Sequence, residues 1–128
     1  MDLSSRPTIC VGDEPLTRGD LDAVVYGHAR LELCEAARDR VCQAASFVAE
    51  QARSGRAVYG VTTGFGANRD TTIDPAEAEI LQENLLVSHA CGVGQPLPED
   101  VVRTMLLLRI NALSLGYSGI RAETLEVL

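Results

Sequence analysis

Tryptophan is absent from this chain of 128 residues, and its aromatic residues are limited to two Phe and three Tyr. A hydrophobic core must therefore be built from Leu, Val, Ile and Ala, and with 46% apolar residues there are enough of them. A core of small aliphatic side chains favours helices over a β-sandwich. We expect a mainly helical fold in which residues 1–128 form a single domain and residues 1–7 are disordered.

Positive charge is also scarce, because the chain has 11 basic residues and 18 acidic ones, and its net charge is -7. Without a block of basic residues, nucleic acids and anionic membranes are poor partners. No run reaches the ~18 apolar residues that a membrane-spanning helix needs, and the polar first residues do not resemble a signal peptide. These absences predict a cytoplasmic protein with neither a nucleic-acid nor a membrane partner.

The metal-binding residue types are few and widely spaced. The chain contains two histidines and four cysteines, and no pair of cysteines has C-x-x-C spacing: His28, His89, Cys10, Cys34, Cys42 and Cys91. This pattern excludes a typical zinc site. We expect no metal, and free cysteines that act as small apolar side chains.

Local patterns predict a short strand at 8–11, followed by helices. Thr17, with Asp20 three residues later, is a helix start in which the hydroxyl caps free N–H groups. Asp74 and Pro75, with Glu77, form a second start signal. The predicted helices cover about 17–27, 29–52, 75–90, 98–116 and 119–128.

The predicted helix at 98–116 is apolar nearly all round. Such a helix should be enclosed by other helices, and Arg109 within it should be a buried ion-pair partner. The chain offers few helices for this purpose, so we expect partners from a longer polypeptide or from other subunits.

A loop with three glycines runs from Tyr59 to Gly66. It lacks the Gly-Lys-Ser/Thr ending of a phosphate loop, and on spacing alone it is an ordinary surface turn. Tyr59 by itself is most simply a packed aromatic, because a tyrosine of pKa ~10 must drop by about 3 units to act as a base near neutral pH. His89 by itself is a capping or half-buried histidine.

Several linked motifs resemble, in order and spacing, those of the histidine and aromatic amino-acid ammonia-lyases and the related aminomutases. The resemblance covers about residues 14–128. It rests on Tyr59-Gly-Val-Thr-Thr-Gly-Phe-Gly66, Leu81-Gln-x-Asn-Leu85, Ser88-His-Ala-x-Gly-Val-Gly94, Val102-Arg103, Leu108-Arg-x-Asn-Ala-Leu113 and Gly116-Tyr-Ser-Gly-Ile-Arg121.

The resemblance implies the N-terminal portion of a helical, homotetrameric ammonia-lyase whose glycine-rich loop acts as a lid. The family's electrophile is 4-methylideneimidazole-5-one, made from an internal Ala-Ser-Gly. The resemblance assigns the catalytic base to Tyr59, a substrate-lining position to Gly66, and selection of the substrate side chain to His89. The reaction releases ammonia from an amino acid and leaves an α,β-unsaturated acid.

One departure from the family pattern is large, because the 128 residues contain no Ala-Ser-Gly. We therefore expect this chain to supply the tyrosine loop and to be inactive until the remainder of the enzyme or other subunits join it through its apolar helix faces. The segment Ser88–Ala90 resembles histidine lyases, whereas Val61–Thr63 leans towards aromatic lyases and mutases; we favour histidine. The alternatives are a non-catalytic helical interaction or regulatory subunit, and a tyrosine or phenylalanine 2,3-aminomutase.

Overall fold

The computed structural model describes residues 6–74 and 77–128. The expectations for residues 1–5 and for Pro75 lie outside this part. The chain divides into two compact units: a scaffold unit, which comprises the chain up to Ala45 together with Pro96–Leu128, and a loop unit, Ser46–Gln95.

The described residues are mainly helical, which confirms the predicted fold class. In chain order the elements are β1 Thr8–Val11, α1 Arg18–Val25, β2 Arg30–Leu33, α2 Glu35–Arg53, a 3-10 turn at Gly66–Asn68, α3 Ala78–His89, α4 Glu99–Leu113 and α5 Ala122–Val127. No helix among the described residues is long and apolar enough to cross a membrane.

Strands β1 and β2 form a parallel pair in which Thr8 is opposite Arg30. The prediction of a helix from residue 29 is wrong here, because the N–H of Arg30 donates to the carbonyl of Pro7 at 2.9 Å and that of Cys34 donates to Val11 at 3.1 Å. A strand partner more than twenty residues away thus overrides the local helical pattern. The expectation of free cysteines is also wrong for two of them, since Cys10 and Cys34 are joined in a disulfide.

Helix α1 begins as its sequence predicts. The hydroxyl of Thr17 accepts a hydrogen bond from the N–H of Asp20 at 3.2 Å, and the Asp20 carboxylate accepts one from the N–H of Thr17 at 2.8 Å. This reciprocal capping box satisfies backbone donors that the first helical turn leaves without partners. Hydrogen bonds from the hydroxyl and the backbone N–H of Thr17 hold the pKa of Asp20 below its usual value.

The scaffold unit has a small, tightly packed core. Its most deeply buried apolar side chains come from β1, α2, α4 and α5: Val11, Ala37, Val41, Leu107 and Leu125. Gly12, at φ +98°, follows β1, and its carbonyl accepts a hydrogen bond from the Arg40 guanidinium. A Cβ at this glycine would lie 2.5 Å from the Cβ of Ala37. The turn after β1 therefore requires glycine for both its backbone angle and its packing.

Helix α4 ends at Leu113, three residues before the predicted end at Gly116. Most of its large apolar side chains are exposed in the described structure: Val101, Val102, Met105, Leu106 and Leu108. Arg109 is exposed as well, so the expectation of a buried arginine is wrong. The expectation that other polypeptide covers this helix stays a prediction.

Candidate functional site

Tyr59 lies in a tight turn that the Thr62 side chain holds in place. The Thr62 hydroxyl accepts a hydrogen bond from the N–H of Val58 at 2.7 Å and donates one to the carbonyl of Arg56 at 2.5 Å. The N–H of Thr62 donates in turn to the carbonyl of Val58 at 2.9 Å. Thr62 is buried, with 9% of its surface exposed, whereas Tyr59 is 64% exposed. A buried hydroxyl thus anchors a turn that presents an exposed phenol.

The second half of the glycine loop is tied to the segment that follows it. Thr63 forms an isolated antiparallel bridge with Thr72. The N–H of Gly64 donates to Thr71 at 3.1 Å, and that of Ile73 donates to Thr62 at 3.0 Å. These backbone bonds make residues 62–64 the firmly held base of the loop, with Tyr59 and Phe65 on either side of it.

The rings of Tyr59 and Phe65 pack edge to face, with centroids 6.1 Å apart and planes at 82°. Such a contact is among the preferred geometries of aromatic pairs. Gly60, at φ +72°, lies beneath it, and a Cβ there would come within 3.1 Å of Phe65 Cε1. Gly60 therefore leaves room for the aromatic pair.

Phe65 also lines an apolar cleft of about 590 Å³. Besides Phe65, its lining consists of Leu85, Leu86, His89 and Ala90, all from α3 or the residue after it. Apart from the imidazole of His89, these side chains carry only C–H groups. The cleft therefore suits an apolar group that meets one polar group.

The ring of His89 is held by its own helix. Its Nδ1 lies 3.0 Å from the carbonyl oxygen of Leu85 and 3.0 Å from the Ser88 hydroxyl. That hydroxyl donates to the same Leu85 carbonyl at 3.0 Å. His89 is exposed at the end of α3.

Tyr59 lines a second cleft, of about 360 Å³, together with Ala57, Thr63, Arg69 and Asp70. Arg69 is a positively charged residue in the lining of this cleft, and the sequence alone did not indicate that it shares a cleft with Tyr59. Its Nε lies 3.3 Å from an Asp70 carboxylate oxygen. The charges of Arg69 and Asp70 largely cancel each other, and both side chains are strongly exposed.

The residues predicted for the site, Tyr59, Gly66 and His89, all lie in the loop unit. Neither of the two clefts described above contains more than one of them. His89 lines the apolar cleft and Tyr59 lines the second cleft, while a Cβ at Gly66 would meet open space. Phe65 connects the first two, because it touches the Tyr59 ring and lines the His89 cleft. Sequence reasoning missed this role, although Phe65 stands between the two last glycines of the loop. No group of three or more potential metal ligands occurs in the described part of the chain.

The family model for aromatic amino acid lyases matches residues 16–128. The chain belongs to the aromatic amino acid lyase family. The histidine ammonia-lyase of Alkaliphilus oremlandii is 50% identical to it over 120 residues, which are 94% of this chain and 24% of the relative. The chain thus spans about a quarter of the length of the curated relatives it matches.

Solved structures of aromatic amino acid lyase relatives agree with this fold. The ergothionase of Treponema denticola matches 94% of this chain and 24% of its own, with a TM-score of 0.87 and 33% identity. The tyrosine aminomutase of Streptomyces globisporus matches 93% of this chain and 23% of its own, with a TM-score of 0.84 and 29% identity. Both likenesses extend over nearly all of this chain.

Proposed function

We propose that this chain contributes the proton-abstracting loop and the side-chain selector of an amino-acid ammonia-lyase, with histidine as the favoured substrate. One observation carries the proposal: Phe65 joins an exposed phenol to an apolar cleft that contains an imidazole. Membership of the lyase family and the identity to a histidine ammonia-lyase support it.

In this proposal Tyr59 is the catalytic base. Its phenolate removes a proton from the substrate β-carbon, the electrons of that C–H bond form the Cα=Cβ bond, and the Cα–N bond breaks to release ammonia. The exposed position of Tyr59 on a turn lets the ring reach a substrate, while Thr62 holds the turn. Arg69, which is paired with Asp70, lines the same cleft as Tyr59.

The substrate side chain would occupy the apolar cleft beside Phe65 and end at His89. Gly66 would let the loop approach the substrate backbone without a side chain in the way. The electrophile 4-methylideneimidazole-5-one would capture the amine when present. These 128 residues lack the Ala-Ser-Gly from which it forms.

A chimeric enzyme tests the proposal. The matched 120 residues of the Alkaliphilus oremlandii histidine ammonia-lyase are replaced by those of this chain, and ammonia release from histidine, tyrosine and phenylalanine is measured. We expect turnover with histidine, and a loss of about 10²–10⁴-fold in kcat for Tyr59→Phe because the base is removed. Tyr117→Phe is the matched control, since Tyr117 is 90% exposed and lies in the scaffold unit.

Equal activity of the Tyr59→Phe and Tyr117→Phe chimeras would refute the role of Tyr59. Product analysis tests the aminomutase alternative, to which the likeness to a tyrosine aminomutase lends support. A β-amino acid among the products would favour that alternative over the lyase.

A non-catalytic interaction or regulatory subunit is the second candidate function. The exposed apolar side chains of α4 support it, because such a helix face is costly to leave in water. It predicts a stoichiometric complex with a full-length relative whose formation and activity survive Tyr59→Phe.

A further inference from the structure

The two ends of the disulfide in the scaffold unit differ in accessibility. Cys10 belongs to β1, and Cys34 is the residue between β2 and α2. Cys10 is exposed, whereas only 8% of the surface of Cys34 is exposed. A dissolved thiol therefore reaches the sulfur of Cys10 more easily than that of Cys34.

The two ends also differ in how well they hold negative charge. The carbonyl of Cys34 accepts a hydrogen bond from the N–H of Arg38 at 2.9 Å, which makes Cys34 the N-cap residue of α2. The N–H groups of a first helical turn lack helical acceptors and carry partial positive charge. The Glu35 carboxylate in the same turn is exposed to solvent, which weakens its opposing effect. A negative charge is therefore better placed on the sulfur of Cys34 than in the middle of a strand.

The backbone keeps the two cysteines together independently of the S–S bond. The N–H of Cys34 donates to the carbonyl of Val11 at 3.1 Å, and the paired strands place Val11 opposite Leu33. Val11 is fully buried. Because these contacts do not involve sulfur, they hold Cys34 beside Cys10 after the disulfide opens. A group held in this way reacts far faster than the same group free in solution.

We propose that Cys10 is a site of reversible S-thiolation by small thiols such as glutathione, and that Cys34 is the cysteine that reverses it. The attacking thiolate forms an S–S bond with Cys10 while the Cys10–Cys34 bond breaks. The electron pair leaves with the sulfur of Cys34, which then takes a proton from water. In the reverse step the Cys34 thiolate attacks Cys10 and expels the small thiol.

Each step exchanges one S–S bond for another, so the small thiol is the only co-reactant. Both cysteines belong to the scaffold unit, whereas Tyr59 and His89 belong to the loop unit. The thiolation site therefore shares no residue with the proposed lyase site, and either proposal can fail without the other.

The point of attack is tested on the oxidised 128-residue chain with Cys91→Ser. The chain is exposed briefly to glutathione, the reaction is stopped with acid, and the unfolded chain is alkylated with N-ethylmaleimide. Peptide mass spectrometry should find glutathione on Cys10 and the alkyl group on Cys34, in severalfold excess over the reverse. Equal amounts of the two products, an excess of glutathione on Cys34, or a disulfide that glutathione does not open would overturn the proposal.

The role of Cys34 is tested by loading the reduced chain, again with Cys91→Ser, with glutathione disulfide and then removing the reagent. Glutathione should be lost from Cys10 when Cys34 is present and should persist there in Cys34→Ser. Cys34→Ala, which keeps this buried position apolar, should behave like Cys34→Ser. Cys42 is the internal control, because it is exposed and free, so its adduct should persist in all three chains. Equal loss of glutathione from Cys10 with and without Cys34 would show that Cys34 does not reverse the modification.

Discussion

The two units of this chain are stabilised in different ways. The scaffold unit buries apolar side chains such as Val41 and Leu107, which are 1% and 2% exposed. In the loop unit, the buried positions among the described residues are Thr62, Thr63 and Gly64, while Leu86 is 70% exposed. The scaffold thus depends on packing, and the loop unit on hydrogen bonds around two threonines. Regions with few buried apolar contacts open at low free-energy cost, which is compatible with the ligand-admitting role proposed for this loop.

The largest expected effect is in the scaffold core. Leu107→Ala should lower the free energy of unfolding by about 2–5 kcal/mol, because it removes buried methyl groups and leaves a cavity. Leu86→Ala, the same substitution at an exposed position of the loop unit, should change it by less than about 0.5 kcal/mol. Urea unfolding followed by circular dichroism measures both, and equal losses would show that the two units do not differ in packing.

Two glycines with positive φ permit a similar comparison. Gly12→Ala should cost about 3 kcal/mol, because an unfavourable backbone angle is combined with overpacking against Ala37. Gly66→Ala, at φ +56° with open space around it, should cost only about 1 kcal/mol for the backbone angle. The same unfolding experiment measures the difference, and a Gly66 variant as damaged as the Gly12 variant would contradict it.

A hydroxyl substitution tests the hydrogen-bonded base of the loop unit. Thr62→Val keeps the shape but leaves the N–H of Val58 without its acceptor, so the exchange protection of that amide should drop about tenfold. Thr62→Ser should retain the protection because it keeps the hydroxyl. Hydrogen exchange followed by NMR measures both variants; unchanged protection in Thr62→Val would show that the turn is held by other contacts.

The smallest effect concerns pH and the capping box of α1. Because the pKa of Asp20 is lowered in the folded chain, first by the Thr17 hydroxyl and then by the Thr17 N–H, its contribution to stability is present above the unfolded value and is lost as the pH drops through the folded value. The difference in melting temperature between wild type and Asp20→Asn should therefore be constant near neutral pH and shrink below about pH 4. A difference that does not vary between pH 7 and pH 2.5 would contradict this linkage.

Sequence reasoning was most accurate where the deciding contacts are local. The start of α1 follows from the three-residue spacing of Thr17 and Asp20, and β1 occupies the predicted residues Thr8–Val11. It was wrong at β2, which was predicted as helix, because pairing with β1 determines the strand. The burial of Arg109 was also wrong, because it was inferred from composition without knowledge of what packs against α4.

The sequence by itself determined the mainly helical class, the places where several elements begin and the motifs that identify the aromatic amino acid lyase family. These features depend on residues that are a few positions apart along the chain, so the spacing of residues in the sequence is enough to predict them. Tertiary structure alone decided that Cys10 meets Cys34, that Phe65 lies between the Tyr59 ring and the His89 cleft, and that Thr62 and Thr63 are buried. Such contacts depend on how the backbone turns in space, and for them the order of residues along the chain is a weak guide.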